Sequence, residues 1–289
     1  MQTAGPNAQQ IEYWNQQAGP RWVSHQAFLD AQIAPLGRLA MERGLLARGE
    51  RVIDVGCGCG DSTLEIARRV GAAGAVVGID LSAVMLERAR ERSRASNAGN
   101  ASLLQADAQT HAFESATFDL LYSRFGVMFF ADPVAAFVNL RRALRASGRL
   151  AFVCWQPLAR NPWMLVPLAA AAKHVELPKP PPPGAPGPFA FGDPDHVRSI
   201  LEKAGYEDVS IEPVESELSI GGAGLDATVE FLLGIGPAAA ALRDASREQR
   251  ALVAGAIREA IAPFSTSEGV RMRGATWIVH ARGGARRDG

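Results

Sequence analysis

The chain has 289 residues, of which 47% are hydrophobic and 21% charged, an ordinary globular composition suited to one large α/β domain, or to one domain with a smaller cap. Thirty basic residues balance thirty acidic ones, so the basic surplus of a nucleic-acid binder is absent. Three cysteines cannot form a disulfide framework, and no apolar run reaches the ~18 residues of a membrane span.

Residues 1–10 read as a loose polar tail, and from Ile11 to about Arg43 the pattern turns helical. A regular alternation follows. Arg51 to Val55 is a short apolar strand ending in a glycine-rich turn, and Asp61 to Val70 is a helix. Ala75 to Asp80 is the next strand, with Ser82 placed to cap the helix behind it. Ser102 to Asp107 and Phe118 to Ser123 are the third and fourth strands. Asp132 caps a helix with Pro133 at its first position, Gly148 ends it, and Leu150 to Trp155 is the fifth strand. Short apolar strands alternating with amphipathic helices imply a parallel sheet covered on both faces.

The regularity breaks after Trp155. Residues 157–176 are apolar and helical, and residues 178–188 are proline-rich and extended. A helix capped by Asp193 or Asp195 follows. Val209 to Val214 and Thr276 to Ala281 read as late strands, separated by helix from about Leu225 to Ala262.

The segment Val52-Ile-Asp54-Val-Gly56-Cys-Gly58-Cys-Gly60-Asp61 carries the chemistry. Alternate glycines allow positive φ and close approach of backbone to a ligand. The helix that follows turns its free N–H groups to the same place, outside the carboxyl end of a strand, where open α/β sheets bind ligands. The dinucleotide fingerprint asks for a sixth-position glycine, and Asp61 stands there. A carboxylate facing a pyrophosphate is unfavourable, which argues against a nicotinamide oxidoreductase. Asp54 and Asp61 suit a ligand with cationic groups and no phosphate. Cys57 and Cys59 read as small loop fillers.

This segment resembles the first motif of class I S-adenosylmethionine-dependent methyltransferases, closest to the group containing the ubiquinone/menaquinone-biosynthesis methyltransferases. The stations Gly78-Ile-Asp80-Leu81-Ser82, Ala106-Asp107-Ala108, Phe118 to Ser123 and Ala143 to Leu150 follow in the same order, so the resemblance spans about residues 11–156. It implies a Rossmann-like, seven-stranded, mostly parallel sheet with helices on both faces and a helical cap. It also implies S-adenosylmethionine as cofactor. Asp80 would hold the ribose hydroxyls and Asp107 the adenine amino group. Asp54, Gly56, Gly58, Gly60, Leu81, Met85, Ala108 and Ser123 complete the expected cofactor site. An amino-terminal lid, with Tyr13, Trp14 and Trp22, would bring Arg21 to the cofactor's carboxylate; Trp14 and Trp22 can equally be core residues.

No Asn/Asp-Pro-Pro-aromatic or Pro-Cys signature follows the fourth strand, so the expected partner is a small-molecule acceptor, methylated on carbon or oxygen. A SAM-binding module without transfer activity is the alternative reading. Phe125, Phe129, Trp155, Trp163 and Met164 are the candidate pocket walls, and His25 and Tyr13 the candidate catalytic groups. The expected organisation is a tail and lid helix at 1–30, a cofactor-binding core at 31–156, a cap at 157–192, the rest of the core at 193–282 with a helical insertion at about 222–270, and a disordered tail at 283–289. The protein is expected in the cytoplasm, with no metal; its oligomeric state is left open.

Overall fold

A computed structural model describes residues 5–182, 184–222 and 224–284. The helices α1 (Ala8–Gln16), α2 (Ala18–Ser24) and α3 (Gln26–Arg43) open the chain. Then β1 (Arg51–Val55), α4 (Asp61–Val70), β2 (Ala75–Asp80), α5 (Ala83–Ala95), β3 (Ala101–Gln105), β4 (Phe118–Arg124), α6 (Pro133–Ala143) and β5 (Leu144–Trp155) alternate. The last part holds α7 (Pro162–Ala171), α8 (Pro194–Lys203), β6 (Glu207–Ile220), α9 (Leu225–Gly234), α10 (Pro237–Ala241), α11 (Arg247–Ile261), β7 (Ser265–Thr266) and β8 (Gly269–Arg282).

Seven strands form the main sheet in the order β3-β2-β1-β4-β5-β8-β6, and the two-residue β7 pairs with β8. The first five run parallel; β8 is antiparallel to both its neighbours. The order reverses between β1 and β4, which makes the carboxyl ends of those strands the switch point where such sheets bind ligands. The centres of β1, β4 and β5 are apolar because both their faces are covered there: Val52, Ile53, Leu120, Leu121, Leu150, Ala151 and Phe152 are all inaccessible to solvent.

The expected caps stand. Ser82 accepts from the Met85 N–H, Asp132 from the Ala135 N–H and Asp193 from the Asp195 N–H. Other boundaries move. Gly148 does not end a helix: α6 stops at Ala143, and β5 begins at Leu144 and passes through Gly148, with its register against β4 broken between Phe118 and Leu120. The amino-terminal tail is not loose over the described residues, because α1 starts at Ala8. A cut at residue 30 falls inside α3. The helical segment expected from about Leu225 to Ala262 consists of α9, α10 and α11. The segments expected as a cap, 157–192 and about 222–270, meet: α7 packs against α10, α11 and β8, and α9 against α10 and α11. Of the expected disordered tail, residues 285–289 lie outside the described residues; the Gly283 N–H donates to the Gly148 carbonyl. No helix among the described residues is long and apolar enough to cross a membrane.

Candidate functional site

Three neighbouring strands deliver carboxylates to one edge of the sheet: Asp54 from β1, Asp80 from the end of β2, and Asp107 two residues beyond β3. Asp54 is fully buried. Its Oδ2 accepts from the Ser62 and Thr63 hydroxyls at 2.7 and 2.6 Å, while its Oδ1 has no partner among the described residues. Burial pushes the Asp54 carboxyl up to about 6, against the pull of those two hydroxyls. Asp80 accepts from the Gly58 N–H on Oδ2 and the Ser82 N–H on Oδ1, both at 2.8 Å. Burial raises its pKa too, and these backbone bonds oppose the rise. Asp107 accepts from the Gln109 N–H at 2.9 Å.

Gly56, Gly58 and Gly60 all adopt left-handed φ, at 69, 54 and 83°. Their reasons differ. A Cβ on Gly56 would stand 2.6 Å from the Gly126 Cα, and one on Gly60 2.9 Å from the Ala89 Cβ, so packing within the protein dictates those two glycines. At Gly58 the one close atom is the Met85 Cε, at 2.8 Å. Gly58 is therefore the open member of the loop, with only a mobile methyl group across it.

Asp61 overturns part of the sequence argument. It does not present a bare carboxylate to a ligand. Arg124 reaches it at 2.7 Å and Arg92 at 3.1 Å, and the same two arginines hold Asp30 of α3 at 3.1 and 2.8 Å. Partial burial works to raise the pKa of Asp61, yet Arg124 and then Arg92 hold it below the ordinary value. Arg92 also donates to the Cys59 carbonyl at 2.8 Å, fixing the glycine turn. The case against a pyrophosphate passes to Asp54 and Asp80.

Ser123, expected beneath the cofactor, is fully buried and serves as a tie. Its hydroxyl donates to the Val55 carbonyl at 2.7 Å and accepts from the Gly126 N–H at 3.2 Å. Leu81 is half-buried and its carbonyl accepts from Asn15; Ala108 is buried and its carbonyl accepts from Asn139.

The helices expected as a lid, α1 and α2, pack on the turn after β2 and on α5. Asn15 receives the Ala83 N–H and the Ser82 hydroxyl donates to the Trp14 carbonyl. Trp14 meets Trp22 and Phe129 edge-on, with centroids 6.1 and 5.1 Å away. Phe129 therefore belongs with the lid. Tyr13 and Arg21 are exposed. His25, at the α2–α3 junction, sets its ring edge-on to Phe231 of α9 at 5.5 Å.

Of the five candidate wall residues, three form one run of rings. Phe125 stacks on Trp155 at 4.3 Å and 17°, and Trp155 meets Trp163 at 5.3 Å. Phe125 holds φ at 60°, a strained value for a non-glycine residue, and is followed by Gly126, which touches Gly56. The aromatic run thus begins beside the glycine loop. The indole N–H of Trp163 is buried without a partner among the described residues. Met164 is buried next in sequence. Cys57, Cys59 and Cys154 are buried thiols, and burial pushes all three up, Cys59 to about 12. That leaves them as fillers rather than nucleophiles.

The donor set fits S-adenosylmethionine. A buried, unpaired carboxylate oxygen at Asp54 suits a cationic group, and two further acids suit hydroxyl and amino donors. A pyrophosphate would meet the same acids unfavourably.

Comparison with known proteins gives the same answer. Residues 52–148 match the family described as a methyltransferase domain. The chain is 37% identical over 118 residues to the aklanonic acid methyltransferase DauC of Streptomyces sp. (strain C5), covering 41% of this chain and 54% of that one. It is 38% identical over 104 residues to the ubiquinone/menaquinone biosynthesis C-methyltransferase UbiE of Idiomarina loihiensis, covering 36% and 41%. The matched stretch thus spans about half the length of these curated relatives. A crystal structure of a candidate methyltransferase from Bacillus halodurans C-125 superposes with a TM-score of 0.57 at 18% identity, over 86% of this chain and 98% of that one, which supports the fold. Residues 52–148 thus match a methyltransferase domain, and the glycine turn and the acids at or just beyond the ends of three neighbouring strands all lie within that match.

Proposed function

We propose that the protein transfers a methyl group from S-adenosylmethionine to a carbon or oxygen of a small apolar or aromatic acceptor. The observation that carries this reading is the aromatic run Phe125–Trp155–Trp163, which starts where Gly126 touches the glycine loop. It provides an apolar wall beside the site that the three acids define.

When bound, the cofactor supplies an electrophilic methyl group on a sulfonium. The protein's own work is then orientation and exclusion of water. Asp80 and Asp107 hold the nucleoside end, and Asp54 attracts the cationic end through its unpaired Oδ1. Phe125, Trp155, Trp163 and Met164 keep the acceptor side dry. His25, set between lid and cap, takes a proton where the acceptor must lose one. Arg21 pairs with the cofactor carboxylate only if α2 turns its exposed guanidinium inward. A cytoplasmic location belongs to the same reading, since three buried, unpaired cysteines suit a reducing compartment.

The test has two stages. S-adenosylmethionine and S-adenosylhomocysteine should raise the melting temperature by mass action, and NAD should not. Tritiated methyl transfer is then followed with hydroquinones, phenols and aromatic acids as acceptors. Stabilisation by NAD alone would overturn the assignment; cofactor binding with no transfer to any aromatic or apolar acceptor would overturn the acceptor class.

A further inference from the structure

Asn7 stands at the N-cap position of α1, and an asparagine there ordinarily caps its own helix. It does not do so. The residue is 1% exposed, and its carboxamide is spent on other parts of the chain. Nδ2 donates to the Asp107 Oδ2 at 2.8 Å and to the Gln109 Oε1 at 3.1 Å, and Oδ1 accepts from the Ala131 N–H at 2.8 Å. Both amide donors and one acceptor site are therefore used, across 100 to 124 residues of sequence. Gln109 is bound in turn: its N–H donates to the Asp107 Oδ1, and its Oε1 also accepts from the Asp132 N–H. Asp107 is thus held on both oxygens, by the Asn7 amide on Oδ2 and the Gln109 N–H on Oδ1.

A carboxylate offers about four acceptor sites. Asn7 and the Gln109 N–H fill one on each oxygen, so among the described residues one on each stays free, in a plane fixed by the two donors. A second feature marks the inner face of α1. Gln10, three residues on from Asn7, has a buried side-chain oxygen with no partner among the described residues. The face that carries Asn7 therefore also carries an acceptor waiting for a donor.

We infer that Asn7 is a positioning residue for the nucleoside end of the cofactor: it orients the Asp107 carboxylate so that a free acceptor site meets the exocyclic amino group of adenine. The inference rests on the proposed function. It makes the amino-terminal helix part of the nucleoside-reading apparatus and not solely a cover.

The test compares two ligands by isothermal titration: S-adenosylhomocysteine, and its des-amino analogue, in which hydrogen replaces the exocyclic amino group. The wild-type protein should prefer the amino compound by about tenfold or more, the worth of one hydrogen bond to a charged group. In Asn7→Ala that preference should fall to about threefold or less. Asn7→Asp serves as the second variant. It keeps the size and the acceptor for Ala131 but sets a carboxylate against Asp107, and it should lose the preference as well. Circular dichroism and melting curves confirm the fold of each. Equal weakening of both ligands by folded variants would make Asn7 an anchor of the lid only and overturn the inference, as would an unchanged preference. Absence of any S-adenosylhomocysteine binding by the wild-type protein would overturn the proposed function itself.

Discussion

Asp61 and Arg124 meet at 2.7 Å, the first residue of α4 against the last of β4. Arg92 and Asp30 close the figure, so that each arginine bridges both aspartates and four elements are joined at one point. Arg124 and Asp30 are the buried half of this ring, with side chains 9% exposed. Asp61→Asn leaves two guanidinium groups facing one carboxylate. Removing one partner from a buried pair is costly, and partial exposure of Asp61 moderates the loss to about 2 kcal/mol. A urea midpoint lowered at constant slope is the expected result. Arg124→Gln should cost a similar amount, and the double variant less than the two combined, by about 1 kcal/mol, because both changes remove the same contact. Additive losses would show that the ring does not act as a unit.

Asp54 gives a prediction that depends on pH. Its folded pKa is raised to about 6 by burial, so the folded state favours the protonated acid. Between about pH 4 and 6 the folded protein then holds more proton than the unfolded chain, and stability falls as pH rises through that window. Above it the full cost, about 3 kcal/mol, is present. Asp54→Asn keeps an oxygen for Ser62 and Thr63 and removes the charge. The variant's melting temperature should therefore exceed wild type at pH 8, with the advantage shrinking towards pH 4. Its affinity for S-adenosylhomocysteine should drop at pH 8, because the carboxylate that meets the cationic group is gone. A melting-temperature difference that does not change with pH would contradict the assignment.

These networks mark the limit of what sequence could show. Strands β1, β2 and β4 were legible as short apolar runs, and Ser82, Asp132 and Asp193 as caps, because each is a local signal read within a few residues. The positions of the three acids were legible because each stands at or just beyond the end of a short apolar strand. Gly148 misled for a local reason: glycine after a helical pattern resembles a C-terminal cap, but the pairing of Leu144 with Phe118 and of Arg149 with Leu120 makes residues 144–149 the start of β5. Strands β6 and β8 extend beyond their expected ends because alternating residues such as Glu215 and Glu217, paired with Ala275 and Arg273, leave one face polar. Asp61, Asp30, Arg92 and Arg124 could not be joined from sequence, nor Asn7 to Asp107, since nothing local records which distant partner a polar side chain finds.

Asp80→Ala should weaken S-adenosylhomocysteine binding tenfold or more without unfolding the protein. Charge-assisted hydrogen bonds to ribose hydroxyls are worth roughly 1.5–3 kcal/mol each. The structure adds a second consequence. Asp80 also anchors the Gly58 and Ser82 N–H groups, so the variant should show faster amide exchange at those two positions. Asp80→Asn separates the roles, since it retains one acceptor for the turn. If Asp80→Asn binds as tightly as wild type, the carboxylate serves the turn and not the ligand.

Gly58→Val tests whether the middle of the glycine turn makes room for the cofactor. Two costs are fixed by the structure. The backbone at φ 54° is strained for a β-branched residue, by about 1–3 kcal/mol. The new Cβ would also stand 2.8 Å from the Met85 Cε, a contact that a methionine terminus can relieve by changing rotamer. Neither cost approaches the stability of the whole sheet, and β1 and α4 hold the turn on both sides. The variant should therefore fold, with a modestly lower melting temperature, and lose S-adenosylhomocysteine binding. Gly58→Ala in a Met85→Ala background removes the clash and keeps the backbone strain. If that protein binds and Gly58→Val/Met85→Ala does not, the space over Gly58 belongs to the ligand. If folded Gly58→Val still binds tightly, the turn does not cradle the cofactor, and Gly58 is glycine only because Asp80 needs its N–H from a left-handed residue.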